Sequence, residues 1–274
     1  MMRFWNELPY HISPFLIQFN GFGIRYYSLM YVLAFITFYF LIKFRLKTED
    51  FSIDIRHLDD FLVWAAAGVL LGGRLGYVIF YDLHYYLDHP LRIFLPFTFT
   101  NGFTFTGISG MSYHGGLIGV TAAVYFFSRK NKLHLGEFSD LLCPAVPLGY
   151  TFGRLGNFFN SELYGRATSM PWGMYFPSEP THTLRHPSQL YEAFFEGIVL
   201  FCILWWFRRA KALRYRMVGL YLTGYGLIRF LIEFFREPDD HLQFVAYFMT
   251  MGQVLCLIMV AAGLLILFTD KIKN

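Results

Sequence analysis

One short segment carries an arginine, two asparagines and a glutamate between three glycines: Gly153-Arg154-Leu155-Gly156-Asn157-Phe158-Phe159-Asn160-Ser161-Glu162-Leu163-Tyr164-Gly165. It closes an apolar stretch that begins near Leu141, so these polar groups stand where a lipid-buried helix meets water. Ionisable groups are expensive in a bilayer and persist where they face a cavity, a partner or a substrate. A second set, Arg229, Glu233 and Arg236, is spaced i, i+4, i+7 and falls on one helix face. Planar guanidinium forks at such places suit a clamp for an anion, phosphate best of all. The structural alternative is internal neutralisation, of Arg229 by Glu233 and of Arg154 by Glu162. Arg74, Arg154 and Arg229 outnumber the carboxylates expected at similar depth, which favours an anion from outside. His114, between Tyr113 and Gly115-Gly116, reads as a proton acceptor for a thiol or hydroxyl, or as a histidine bonded to a loop carbonyl. His182 and His186 stand i, i+4 but lie in a proline-containing loop with no third ligand at recognisable spacing, so no metal site is expected. Pro187 and Ser188 mark a helix start, with Glu192 in the first turn, where the helix dipole alone accounts for it. Gln189 and Tyr191 are candidates to line the same cavity.

The elements that position these residues are membrane helices. Apolar residues make up 55% of the 274 and charged residues 15%, where a soluble domain carries about 25% charge. Charge-poor runs long enough to cross a ~30 Å hydrocarbon core recur along the chain. The fold expected is an all-α polytopic membrane protein, one integral membrane domain over 1–274. Its seven spans run at about 26–43, 61–81, 109–127, 141–160, 189–207, 217–235 and 244–268. Of the 23 Lys and Arg, 14 lie in the first, third and fifth connections and the C-terminal tail. Five (Arg3, Arg92, Arg166, Arg185 and Arg236) lie on the opposite side. Positive loops mark the cytoplasmic face, which demands an odd number of spans with the N-terminus outside and the C-terminus in the cytoplasm. The net charge of +4 is therefore a topology signal, not a nucleic-acid footprint. With that orientation Tyr26, Tyr27, Arg74, His114, Arg154, Asn157, Asn160, Glu162, Arg229, Glu233 and Arg236 all fall in the outer half of the membrane.

Residues 1–25 contain Glu7, Pro9 and Pro14 and no apolar core, so an outer-face arm is expected in place of a cleaved signal peptide. Two long connections, about 82–108 and 161–188, are rich in Pro, Gly, Thr and aromatics and belong to the same outer side. Cys143, Cys202 and Cys256 are isolated within predicted spans and read as small buried apolar residues. The pairs Gly68/Gly72, Gly72/Gly76, Gly115/Gly119 and Gly149/Gly153 read as helix-packing contacts.

Gly153–Gly165 matches the pattern G-R-x-G-N-F-x-N-x-E-x-x-G, and by it the chain resembles the prolipoprotein diacylglyceryl transferases. Further motifs of that family follow in order: Tyr26–Tyr31, Gly72–Tyr77, His114–Gly116, His186–Glu192 and Arg229–Asp239. Ser28 stands where the family pattern has glycine, which bears on packing near Tyr27. The 82–108 connection matches no motif. The resemblance implies a transferase of the bacterial cytoplasmic (inner) membrane with its active site toward the periplasmic leaflet. Its lipid substrate would be phosphatidylglycerol, and its acceptor the lipobox cysteine of a preprolipoprotein signal peptide. The products would be a thioether-linked prolipoprotein and glycerol-1-phosphate, the first step of lipoprotein maturation. No cofactor, metal or nucleic acid is implied; the partners are the peptide and membrane lipids. In that chemistry a thiolate displaces a phosphate ester at an sp3 carbon. Arg154 and Arg229 would hold the departing phosphate, and His114 would take the thiol proton or orient the headgroup. Asn157, Asn160 and Glu162 would bind the glycerol hydroxyls or orient the arginines. Tyr27 would close the pocket and Glu233 would fix Arg229. Gly165, Arg74 and Arg236 complete the substrate-binding set. A transporter or flippase for an anionic lipid, using the same arginine clamp without chemistry, is the alternative.

Overall fold

A computed structural model describes residues 2–19, 22–95, 97, 98, 104, 105, 110–237 and 249–269. Asp239, positions 244–248 of the seventh expected span, Lys271, Lys273 and most of 96–109 lie outside the described residues. The chain is mostly helical and forms two compact units, Phe51–Phe138 and the remainder, Met1–Asp50 with Ser139–Asn274.

In chain order the helices are α1 (Met2–Asn6), α2 (Tyr26–Thr48), α3 (Ile55–Tyr81), α4 (Leu83–Asp88), α5 (Tyr113–Lys130), α6 (Leu135–Leu142) and α7 (Val146–Phe159). They continue with α8 (Ser188–Glu192), a π-helical turn (Ala193–Val199), α9 (Leu200–Phe207), α10 (Met217–Ile232) and α11 (Met251–Phe268). The described residues of the seven expected spans are mostly helical. Among the described residues four segments are long and apolar enough to cross a membrane: Tyr26–Thr48, Ile55–Tyr81, Ser188–Phe207 and Met251–Phe268. Met217–Ile232 is a shorter apolar helix. Large apolar side chains cover their outer surfaces, Trp206, Phe40 and Leu265 among them, as lipid contact requires. The fourth expected span is broken at Cys143-Pro144-Ala145, where proline removes a backbone donor and a 3-10 turn joins α6 to α7. Two short hairpins, β1 (Phe15–Phe19) with β2 (Phe22–Arg25) and β3 (Phe97–Thr98) with β4 (Thr104–Phe105), depart from an all-α description.

The Phe51–Phe138 unit rests on glycines. A Cβ at Gly119 would lie 2.0 Å from the Gly68 carbonyl oxygen, and one at Gly115 would lie 2.3 Å from that of Gly72. Backbones of α3 and α5 thus touch directly, which only glycine permits. Both helices begin on side-chain caps: Asp54 accepts from the Arg56 amide at 2.8 Å, and Ser112 from that of Gly115 at 3.3 Å. Gly149 and Gly153 are different. Gly149 makes ordinary contact with Ala34, and Gly153 has open space where a Cβ would stand, so close packing does not explain that pair. Ser28 is exposed on α2, so the departure there meets no packing constraint.

In the other unit α7 lies against α2, with Gly156 giving room to the Tyr27 ring, and α10 lies against α11 across Gly219 and Gly263. Near the C-terminus of α2, Arg45 is buried; it pairs with Glu49 at 2.8 Å and donates to the carbonyls of Asp140 and Leu141 at 2.6 and 2.7 Å. Asp140 in turn accepts from the amides of Tyr215 and Met217, fixing the start of α10. Of the cysteines only Cys256 is buried; Cys202 is exposed on α9, against expectation, because that face of the helix has no protein neighbour.

Candidate active site

Three arginines of the larger unit meet on one carboxylate. Glu192, at the end of α8, is fully buried. Its Oε2 lies 2.9 Å from Arg154 Nε on α7 and 2.9 Å from Arg229 Nη1 on α10, and its Oε1 lies 3.4 Å from Arg236 Nε. Glu196, also fully buried and four residues on, sits 3.5 Å from Arg229 Nη1. Glu233 Oε2 stands 3.3 Å from both Arg229 Nη2 and Arg236 Nη1, and Glu233 Oε1 accepts from Thr250 Oγ1 at 3.1 Å. Three guanidinium groups therefore face three carboxylates. The expectation of surplus positive charge is overturned: Glu192 and Glu196 supply the missing anions. Glu192, which the helix dipole alone seemed to explain, is the centre of the cluster. Four residues separate it from Glu196, and the π turn that begins at Ala193 keeps both carboxylates on one side of the segment.

Arg154 is not neutralised by Glu162. Its Nε donates to Tyr150 Oη at 2.7 Å, and its Nη1 reaches Asn157 Oδ1 at 3.3 Å. Asn157 passes the contact on, its Nδ2 donating to Glu162 Oε1 at 2.8 Å; Asn160 Nδ2 approaches the same oxygen at 3.5 Å. The signature residues thus form one chain from arginine to amide to carboxylate. Among the described residues no other group engages the terminal nitrogens of Arg154. Arg229 differs, because both of its terminal nitrogens already face carboxylates. Arg154 is accordingly the guanidinium that keeps one terminal nitrogen, Nη2, unengaged among the described residues.

The turn that follows α7 is strained and pinned. Ser161 and Leu163 hold φ of 55° and 58°, a region that costs residues other than glycine about 1–2 kcal/mol. Gln189 Nε2 donates to the Glu162 carbonyl at 2.7 Å and Ser188 Oγ to that of Leu163 at 3.1 Å; both side chains are fully buried. The His186–Glu192 motif therefore serves the turn first, with Gln189 as its clasp. Gly165 has the same kind of duty: a Cβ there would lie 2.2 Å from the Phe235 carbonyl oxygen. The bare backbone lets Gly165 bridge to Arg236, with the Arg166 amide donating to Phe235 at 2.9 Å. That contact brings Arg236 to Glu192. Tyr27 lays its ring on Gly156 and shares a 3.0 Å hydrogen bond with Tyr31.

Beyond the helices, the 161–188 connection is ordered by Glu179. Hydrogen bonds from the Thr181 hydroxyl (2.6 Å) and the Thr183 amide (2.7 Å), with the Arg185 guanidinium at 3.1 Å, hold its carboxyl down at about 2. His182 stacks on Tyr175, while His186 bonds Tyr191 at 3.1 Å, so the two rings serve different neighbours. Burial lowers the pKa of His186, favouring a neutral ring.

Two expected site residues belong to the smaller unit. Arg74 is buried and donates to the carbonyls of Ile93 (2.6 Å), Arg92 (2.7 Å) and Gly110 (3.2 Å), fastening the segment after α4. His114 is exposed in the first turn of α5. Sequence reasoning missed Tyr150 and Glu196, which lie inside apolar runs with no motif to mark them. The only local signal was a carboxylate, Glu196, seven residues from the nearest expected span end.

The chain has counterparts. Residues 14–269 match the family model described as prolipoprotein diacylglyceryl transferase. Proteins named phosphatidylglycerol–prolipoprotein diacylglyceryl transferase resemble it closely. That of Chlorobaculum tepidum is 52% identical over 97% of this chain and 93% of its own length. That of Campylobacter lari is 44% identical over 97% of both. That of Idiomarina loihiensis is 43% identical over 95% of this chain and 94% of its own. With the signature turn, the arginine cluster and near full-length similarity in agreement, the chain belongs to the prolipoprotein diacylglyceryl transferase family.

Proposed function

We propose that this protein transfers the diacylglyceryl group of phosphatidylglycerol to the lipobox cysteine thiol of a prolipoprotein signal peptide. The carrying observation is Arg154, held at its Nε by Tyr150 and Glu192 and at Nη1 by Asn157, with Nη2 engaged by no group among the described residues. The sulfur attacks the glyceryl carbon that bears the phosphate; the C–S bond forms as the C–O bond breaks, and glycerol-1-phosphate departs. Negative charge gathers on the departing phosphate, so fixed guanidinium donors in a water-poor site lower the barrier. Arg154 receives the phosphate, and Arg229, held between Glu192, Glu196 and Glu233, supports it from α10. His114 accepts the thiol proton or orients the lipid headgroup, Asn157, Asn160 and Glu162 meet the glycerol hydroxyls, and Tyr27 closes the pocket. Gly165 and Arg236 act through the contacts they make with protein, and Arg74 through the carbonyls it holds in its own unit. The protein spans the bacterial inner membrane seven times, N-terminus outside, with this site toward the outer leaflet; the 14-to-5 distribution of basic residues supports that orientation. The names of the relatives disfavour a transporter.

The test supplies purified protein with phosphatidylglycerol and a lipobox peptide and measures glycerol phosphate release together with thioether formation. Wild type releases both products, and Arg154→Ala lowers turnover by at least about 10³-fold, the scale of a lost transition-state donor. Lipid movement without release, or near-normal turnover of Arg154→Ala, would overturn the reading.

A further inference from the structure

Tyr150 is half-buried among charges, and the reaction as written gives it no part. Its hydroxyl accepts the Arg154 Nε proton at 2.7 Å, and its ring lies 4.8 Å under the same guanidinium. Its own single proton goes to Glu196 Oε2 at 2.5 Å, with Glu192 Oε2 farther off at 3.1 Å. A phenol with one proton donates to one acceptor at a time, so the nearer carboxylate sets its direction. With the proton aimed at Glu196, the oxygen lone pairs face Arg154. Glu196 is held in turn by the π turn. Gly197 lies so close to α7 that a Cβ there would meet Thr151 Oγ1 at 2.0 Å, and Thr151 Oγ1 reaches the Ala193 carbonyl at 3.3 Å.

We infer that Glu196 and Tyr150 form a positioning relay that locks the rotation of Arg154 and aims its fork at the phosphate. Neither residue touches substrate. Cation–π stacking restrains the guanidinium plane, and the hydroxyl bond to Nε fixes its in-plane turn. Nη1 is then held on Asn157 Oδ1 at 3.3 Å, and Nη2, which no group engages among the described residues, is left for the phosphate. The benefit falls on the transition state, where the phosphate gains charge and a misdirected fork loses most. This inference rests on the transferase reading.

The experiment compares wild type, Tyr150→Phe, Glu196→Gln and the double variant in the glycerol phosphate release assay, with thermal midpoints in the same detergent. Phenylalanine keeps the stacking ring and removes only the hydroxyl. The relay requires kcat to fall about 10- to 100-fold in Tyr150→Phe, the range of a hydrogen bond to a charged group. KM for phosphatidylglycerol stays within about threefold and the midpoint is unchanged. Glu196→Gln also uncovers Arg229, which Glu196 faces at 3.5 Å, so its loss comes with a lowered midpoint that Tyr150→Phe does not share. The double variant falls short of the product of the two single losses, since hydroxyl and carboxylate act on Arg154 as one unit. Losses that multiply fully in the double variant, or a Tyr150→Phe loss that follows a lowered midpoint, would overturn the relay in favour of simple packing. An active wild type with Tyr150→Phe at full rate would overturn the relay alone. An inert wild type would overturn the transferase reading, and the relay with it.

Discussion

Replacing Glu192 with glutamine removes one charge and almost no volume, from a carboxylate with no solvent exposure. In the native cluster that charge faces guanidinium nitrogens at 2.9, 2.9 and 3.4 Å. Three arginines then face two carboxylates, and one buried cation stands uncompensated. Breaking a buried pair from one side costs about 3–5 kcal/mol, against less than 1 kcal/mol for an exposed pair. At about 1.4 kcal/mol per tenfold, that corresponds to roughly 150- to 5,000-fold in any equilibrium or rate that depends on the arginines staying in place. The protein can relieve the imbalance by turning Arg154 or Arg229 outward or by admitting water; either removes the preorganised donors. The expected result is a fall in kcat/KM for phosphatidylglycerol of at least about 100-fold, with a lower thermal midpoint in detergent. A Glu192→Gln enzyme within threefold of wild type in kcat/KM, at unchanged midpoint, would refute the view that this carboxylate holds the arginines.

Gly119→Ala places a carbon 2.0 Å from the Gly68 carbonyl oxygen, whereas Gly153→Ala fills open space. Overpacking of this kind costs about 1–3 kcal/mol, so thermal scans should show a lower midpoint for the first variant and none for the second. The Glu179 carboxyl is held below its ordinary value, so its contribution to loop order is complete above that value and is lost as pH falls toward about 2. Hydrogen exchange at the Thr183 amide should therefore quicken as pH falls through that range beyond the intrinsic trend. Glu179→Gln should exchange faster at neutral pH and show a flatter profile, and an unchanged rate would sink the assignment.

Most of the helical framework was legible in the sequence. Four of the expected apolar segments coincide with helices long and apolar enough to cross a membrane, and hydropathy is a local property that tertiary packing does not alter. Glycine pairs at four-residue spacing in α3 and α5 announced close backbone contact, and the contact is there. Gly149 and Gly153 carry the same spacing without the contact, because spacing records a helix face and not what lies opposite it. The two hairpins were not legible, being short aromatic runs among proline and glycine.

By itself the sequence determined the membrane class, the basic-residue asymmetry and the candidacy of Arg154 and Arg229, because each follows from cost. A charge in an apolar segment needs a reason wherever the chain goes. It could not name the partners. Glu192 looked like an N-terminal dipole residue, Glu196 and Tyr150 looked like nothing, and Glu162 stood as a substrate-binding candidate with the role of counter-ion to Arg154 as the alternative. Only the packing of α7, the π turn and α10 decided that Glu192 answers three arginines while Glu162 answers two asparagines. An ion pair between helices depends on their relative rotation and rise, and residues 38 positions apart in the chain, such as Arg154 and Glu192, carry no local trace of it. The segment Gly153–Gly165 was thus readable as a candidate site, while the charge balance around Arg154 belongs to the tertiary fold.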